Sequence, residues 1–172
     1  MMRHSILIAA AALLLVPAVS NAQFKQGDWE LTLGGSGSSP SRLNGFSFGI
    51  DAGLGLFVAD QLEIGVRQHA AYTDEGVSSN WSGSTRVAAD FHLDFGALQP
   101  FIGANIGYVY GENGFHDTFE AAPEGGLKWF VNGTTFIYGL IEYQFFFDKD
   151  SKVSEQFKDG QFVYTLGIGF KF

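Results

Sequence analysis

Gln161-Phe162-Val163-Tyr164-Thr165-Leu166-Gly167-Ile168-Gly169-Phe170-Lys171-Phe172 is the stretch that decides the fold. Alternate side chains of a strand point to opposite faces. One face therefore carries Phe162, Tyr164, Leu166, Ile168, Phe170 and Phe172. The other carries Gln161, Val163, Thr165, Gly167, Gly169 and Lys171. A soluble protein seldom places a wholly apolar, aromatic strand face at its end. A barrel strand with that face turned to lipid does.

Seven segments upstream keep the same period of two. Trp29, Leu31 and Leu33 alternate with Glu30 and Thr32, and Phe46 to Leu56 alternate with Ser47, Gly49, Asp51, Gly53 and Gly55. Leu62, Ile64 and Val66 alternate with Glu63, Gly65 and Arg67, in a pattern that can extend to Tyr72. Val87 to Leu93 alternate with Arg86, Ala88, Asp90, His92 and Asp94. Ile102, Ala104, Ile106, Tyr108 and Tyr110 alternate with Gly103, Asn105 and Gly107. Phe119, Ala121, Leu127 and Trp129 alternate with Glu120, Ala122, Glu124, Gly126 and Lys128. Ile137, Ile141, Tyr143, Phe145 and Phe147 alternate with Tyr138, Leu140, Glu142 and Gln144. With the last segment these make eight strands.

The links between strands sort by length. Short ones fall near 57–60, 96–99 and 131–134, and longer polar ones at 34–44, 73–84, 111–117 and 148–160. That rhythm is what eight antiparallel strands require when both chain ends lie on the short-turn side, and outer-membrane barrels have short inner turns and long outer loops. Tilted spanning strands need about 9–11 residues each, which this chain can supply eight times. Closure follows because hydrocarbon offers no water to a spare N–H or C=O, so an open sheet edge is prohibitive. Trp29, Phe46, Tyr108, Tyr110, Trp129, Phe145, Phe147 and Phe172 sit at strand ends, where aromatic girdles lie. The expected fold is an all-β, eight-stranded antiparallel up-and-down transmembrane barrel.

Composition agrees. Mean hydropathy is only +0.09, too low for a helical membrane protein, although 46% of residues are hydrophobic and 18 are Phe. Alternation reconciles the two, because half of each strand is apolar and half polar. Residues 1–22 read as a secretory signal peptide: a basic start at Arg3, an apolar run from Ile6 to Val16, and small residues Ser20 and Ala22 before Gln23. The run is too short to span as a helix, and its removal leaves one domain, 23–172. Cysteine is absent, which fits stability drawn from a closed ladder rather than from disulfides. Net charge is −8, which argues against nucleic-acid binding.

Two features fit the pattern less well. Pro123 falls inside the sixth strand and removes a ladder hydrogen bond, so it is expected near the external rim. His69-Ala70-Ala71 weakens the alternation, so that end of the third strand is expected to project beyond the membrane. The Gly-Ser stretch 34–39 reads as a flexible loop.

With these residues in view, the chain resembles the small eight-stranded outer-membrane barrels: the membrane domain of the outer-membrane protein A type, the outer-membrane protein X type, and the opacity-protein-like surface antigens. The resemblance covers residues 27–172. It rests on the signal peptide, 100–108 (Pro-Phe-Ile-Gly-Ala-Asn-Ile-Gly-Tyr), Gly126-Leu127-Lys128-Trp129-Phe130, Ile141-Glu142-Tyr143-Gln144-Phe145, and the terminal Gly167 to Phe172. It implies that the barrel-assembly machinery reads Phe170 and Phe172. It also implies an address in the outer membrane of a Gram-negative bacterium, reached through the periplasm. It implies no single activity, since such families include adhesins, surface-shielding proteins and structural anchors.

The inward positions collect Glu30, Asp51, Glu63, Arg67, Arg86, Asp90, His92, Asp94, Glu120, Glu124, Lys128, Glu142 and Lys171. An eight-stranded barrel is just wide enough for side chains to fill, and unpaired charge there is very costly. A plug is therefore expected, with Arg67, Arg86 and Lys128 paired to Glu63, Asp90, Glu124 and Glu142; the alternative is a gated polar pathway. Enzymatic signals are thin. Lipid A deacylases of this size resemble a His-x-Ser pair, which His69-Ala70-Ala71, His92-Leu93-Asp94 and His116-Asp117-Thr118 do not give. Asp148-Lys149-Asp150-Ser151 lacks the Gly and final Glu of a calcium loop. Asn132-Gly133-Thr134 matches a glycosylation sequon but is better explained as a turn. Trp81, Phe115 and Phe157 lie in otherwise polar links and are candidates for partner contact.

The reading that follows is a non-enzymatic outer-membrane barrel, its interior plugged by charged side chains, acting through its external loops as a structural or surface-interaction protein. The alternatives are a narrow pore for ions or small solutes and a lipid A-modifying enzyme. Expected partners are outer-membrane lipids including lipopolysaccharide, the assembly machinery, and an extracellular ligand of unassigned identity. No cofactor, metal or nucleic acid is expected, and the chain is expected to be a monomer.

Overall fold

The computed structural model describes residues 24–40, 47–74, 79–111, 118–147 and 160–172. The expected signal peptide lies outside them, as do Phe115, Phe157, His116-Asp117 and 148–151. Eight strands form: β1 (Trp29–Pro40), β2 (Ser47–Ala59), β3 (Leu62–Asp74), β4 (Ser79–His92), β5 (Leu98–Gly111), β6 (Thr118–Phe130), β7 (Thr135–Phe147) and β8 (Gln161–Lys171). Each pairs antiparallel with its neighbour in sequence, and β1 pairs with β8 from Glu30↔Lys171 to Pro40↔Gln161, which closes the barrel.

The alternation read from sequence sets the two faces. Outward positions carry apolar side chains left exposed, with Leu166 at 72%, Ile50 and Ile102 at 68% and Ile106 at 58%. No water-soluble surface tolerates a continuous belt of this kind, so the barrel spans a membrane. Several inward positions are glycine because a large neighbour on the next strand already fills the space beside them. A Cβ at Gly103 would lie 2.0 Å from Asp90 Oδ1, and one at Gly169 would lie 2.0 Å from the Phe136 ring.

The short turns are built locally. Gly96 takes φ +74° between β4 and β5, and its N–H donates to Asp94 Oδ1 at 2.8 Å. Asp94 is thus an exposed turn residue and not, as expected, a lumen residue; the strand ends two residues before it. Between β6 and β7, Asn132 Oδ1 accepts from the N–H groups of Thr134 (2.9 Å) and Thr135 (2.8 Å), the turn role expected of it.

Three further expectations are corrected. The stretch 34–39 is strand, paired on one side with β2 through Ser38↔Ser47 and on the other with β8 through Ser39↔Phe162. Small residues at Gly34 allow close approach of Tyr138, whose hydroxyl lies 2.6 Å from where a Cβ would stand. The link after β3 is also shorter than expected, because β3 and β4 pair as far as Asp74↔Ser79. Trp81 consequently sits on the outer face of β4 rather than in a loop, with its ring 5.2 Å from that of Tyr72, its cross-strand partner. The alternation at His69-Ala70-Ala71 holds, with His69 and Ala71 inward and Ala70 outward.

Pro123 lies mid-strand, outward and exposed, not at the rim. Its pairing with Ala104 on β5 is kept, while the β6–β7 register runs from Ala121↔Phe145 to Glu124↔Glu142 with no pair between. Proline has no N–H to donate, so the ladder toward Tyr143 is interrupted there. Pro123 can sit in a central strand only because its ring faces lipid and β5 still holds its other side.

A charge at the centre of the outer belt tests the membrane assignment. Leu166→Arg should cost about 2–4 kcal/mol of folding free energy in lipid vesicles, measured by denaturant titration. A cost near zero would place Leu166 outside hydrocarbon.

Candidate functional site

The lumen is the candidate site, and its geometry follows from two facing pairs of strands. On one wall, Arg67 of β3 lies directly opposite Arg86 of β4. On the other, Glu124 of β6 lies directly opposite Glu142 of β7. Like charges in directly opposed positions are destabilising on their own. Across the lumen the two rungs neutralise each other. Arg67 Nη1 donates to both oxygens of Glu124, at 2.6 and 2.7 Å, and Arg86 Nη1 donates to Glu142 Oε1 at 2.6 Å. Asn105 of β5 ties the anionic rung together, its Nδ2 donating to Glu124 Oε2 at 2.5 Å and Glu142 Oε1 at 2.6 Å.

Further ion pairs join these chords, some across the lumen and some between neighbouring strands. Arg67 also pairs with Asp90, and Arg86 with Asp51 (3.2 Å) and Glu120 (3.8 Å). Nearer the short turns, Lys128 Nζ donates to Glu30 Oε2 at 2.5 Å and Glu63 Oε2 at 2.9 Å, and His92 Nε2 lies 3.0 Å from the same Glu63 oxygen. The seven residues expected to form the network (Glu63, Arg67, Arg86, Asp90, Glu124, Lys128, Glu142) are therefore brought together, and Glu30, Asp51, Glu120, His92 and Asn105 join them. Lys171 instead pairs with Asp28 at the short-turn mouth, at 3.2 Å.

Acceptors exceed donors in this layer. Among the described residues seven carboxylates face three side-chain cations, and Asp51 Oδ2, Asp90 Oδ1, Glu120 Oε1, Glu142 Oε2 and Asn105 Oδ1 accept no hydrogen bond from these residues. A cavity of about 30 Å³ lies among Glu30, Asp51, Glu63, Arg67, Lys128 and Tyr138. That is room for about one water molecule.

Two constellations could suggest chemistry. Glu63, Asp90 and His92 bring donor atoms within 4.8 Å of one another. Lys128 and Arg67 already neutralise the carboxylates of that set, so it belongs to the ion-pair layer. Ser36, His69 and Asp51 also meet, a grouping the sequence hides because the three lie on β1, β3 and β2. Ser36 Oγ is 3.3 Å and Asp51 Oδ1 is 3.0 Å from His69, but both address the same atom, Nδ1. A nucleophile relay needs the two partners on opposite ring nitrogens, and this arrangement does not provide it.

Sequence parity missed one feature entirely. The short-turn end of the lumen is aromatic: Phe57, Phe101, Phe130 and Phe136 point inward and are buried, together with Phe24, which precedes β1. The inward parity of Phe57 and Phe101 was available from the register of β2 and β5; Phe24 had no strand pattern to announce it. Phe170 and Phe172 face outward at the same end, at 38% and 67% exposure.

Removing one cation should expose the cost of the anionic rung. Arg86→Met leaves Glu142, Asp51 and Glu120 without their shared partner and should cost about 3–5 kcal/mol in denaturant titration. Adding Glu142→Gln should recover part of that loss. Strict additivity of the two substitutions would show that the pair is not coupled.

No protein-family model matches the chain, and no curated protein matches it in sequence. Solved structures do match. The N-terminal β-barrel domain of Pseudomonas aeruginosa OprF is 18% identical with a TM-score of 0.61, over 87% of this chain and all of that one. Neisserial surface protein A is 12% identical with a TM-score of 0.62, over 86% and 96%. Ail, the attachment invasion locus protein of Yersinia pestis, solved with the heparin analogue sucrose octasulfate, is 16% identical with a TM-score of 0.55, over 86% and 99%. The chain thus has the fold of the small eight-stranded outer-membrane barrels, and its apolar belt suits the membrane they occupy.

Proposed function

We propose that this chain is a non-enzymatic surface protein of a bacterial outer membrane, with a plugged lumen and with its working contacts in the long external connections. One observation carries the reading. Side-chain chords join β3 to β6, β4 to β7, β2 to β4, and β6 to both β1 and β3. A lumen laced in this way leaves its activity to the outside surface. The Nδ1 geometry of His69 supports the non-enzymatic reading.

On this reading outer-membrane lipids, lipopolysaccharide included, contact the belt, and the assembly machinery reads Phe170 and Phe172. The connections 41–46, 75–78, 112–117 and 148–159 together hold seven acidic and four basic residues. That balance favours a neutral or cationic partner over a sulfated one such as the analogue held by the Yersinia protein. Phe115 and Phe157, placed in those connections by sequence, remain the aromatic contact candidates.

A narrow, cation-preferring pore is the second reading, favoured by the surplus of lumen carboxylates. Planar-bilayer recording of the refolded protein separates the two. The plug predicts no steady single-channel openings while the protein shows the heat-dependent gel shift of a folded barrel. Steady openings with cation preference would replace the plug by the pore.

A further inference from the structure

The short-turn mouth holds a side chain that belongs to no strand. Phe24 is 4% exposed. Its ring stacks on Phe57 at 4.0 Å with a 10° interplanar angle, and meets Phe130 at 5.3 Å and Phe136 at 6.0 Å edge-on. Lys128 Nζ, behind it, lies 5.1 Å from the ring centre, and Lys171 Nζ lies 5.8 Å away. These distances are within the range of cation–π attraction. The ring therefore separates solvent at the mouth from the Lys128–Glu30–Glu63 cluster.

The turn that delivers the ring is anchored at residues 25–28. Gly27 N–H donates to Phe57 O at 2.8 Å, Gln26 N–H to Asp60 Oδ1 at 2.9 Å, and Lys25 N–H to Asp28 Oδ2 at 2.9 Å. Gly27 adopts φ +94°, a conformation that glycine takes without strain, and this reverses the chain into the mouth. The phenyl ring itself has no polar atom and is held by ring packing and the two cation–π contacts, with no hydrogen bond of its own. Phe24 also forms one wall of an open groove of about 600 Å³, whose other walls include Gln26, Asp60, Phe91, His92 and Gln99. The ring thus has a closed seat on one side and free space on the other, while its tether is fixed by backbone hydrogen bonds that do not involve the ring.

We propose that Phe24 is a tethered stopper: its ring seats in the Phe57–Phe130–Phe136 receptacle, swings into the adjoining groove without disturbing the barrel, and by leaving admits water to the Lys128–Glu30–Glu63 cluster. The ion-pair chords deeper in the lumen stay in place, so the motion gates access to one mouth and does not open a channel. This inference does not depend on the loop-based reading of function.

The chain has no cysteine, so a single introduced thiol reports on the mouth. Ala97 belongs to the buried cluster around Phe24 and is 9% exposed. Ala97→Cys in the folded barrel should react slowly but measurably with a small, charged, water-soluble thiol reagent. Adding Phe24→Ala should speed the reaction about tenfold or more, because slow labelling reports the minor open state. Phe24→Trp should keep it slow. Equal rates with and without the Phe24 ring, or no labelling at all while Phe24 is present, would overturn the stopper. Loss of the heat-dependent gel shift in both Phe24→Ala and the milder Phe24→Leu would make Phe24 a folding element and would overturn it as well.

Discussion

Hydrocarbon gives a polypeptide backbone nothing to bond with, and each unpaired N–H or C=O there costs several kcal/mol. The rest of this structure depends on that constraint. It requires every strand to have two neighbours, and the pairing of β1 with β8 meets the requirement with eight strands. Eight strands fix a lumen that side chains fill. The narrow lumen then dictates the inward sequence, in which glycine at Gly103 and Gly169 makes room for Asp90 and Phe136. Pro123 is the place where the constraint is partly relaxed, and the gap falls on one side of one strand.

The ion pairs are better understood as specifying the barrel than as strengthening it. Buried pairs contribute little net stability against apolar replacements, while a broken one is expensive. Here two like-charged rungs, Arg67 with Arg86 and Glu124 with Glu142, are each unfavourable and become tolerable only when β3–β4 faces β6–β7 across the lumen. A one-residue slip in any of these registers would turn its charged residue into lipid. The rungs thus penalise every alternative closure. The aromatic cluster at the short-turn end adds apolar packing without that selectivity.

Much of this was legible in the sequence, because a strand's period of two converts directly into an inside and an outside. The terminal stretch from Gln161 to Phe172, the eight strands and the inward charges all follow from parity. What parity could not supply is height along the barrel and contact across it. The stretch 34–39 looks like a linker in composition, and only its two paired neighbours make it strand. Trp81 looked like a loop residue because Asn80, Ser82 and Ser84 surround it, yet β3 carries the ladder past it. Asp94 had the right parity and lay beyond the strand's end. The meeting of Ser36, His69 and Asp51 depends on register between three strands, and Phe24 reaches the lumen by a turn, so neither leaves a periodic trace.

The pairing of β1 with β8 also carries a kinetic consequence. Every other pair joins strands adjacent in sequence, but Glu30 and Lys171 meet across 141 residues. Loop-closure entropy grows only with the logarithm of that length, yet it must be met before the contact returns anything. Non-local pairing of this kind slows folding far more than it affects stability. The seven hairpin seams can form as their strands arrive, whereas the last seam must wait for both ends of the sheet. The folding clock of this protein is therefore set at the seam between its first and last strands, where Trp29 and Phe172 exchange backbone hydrogen bonds at 2.8 and 3.0 Å.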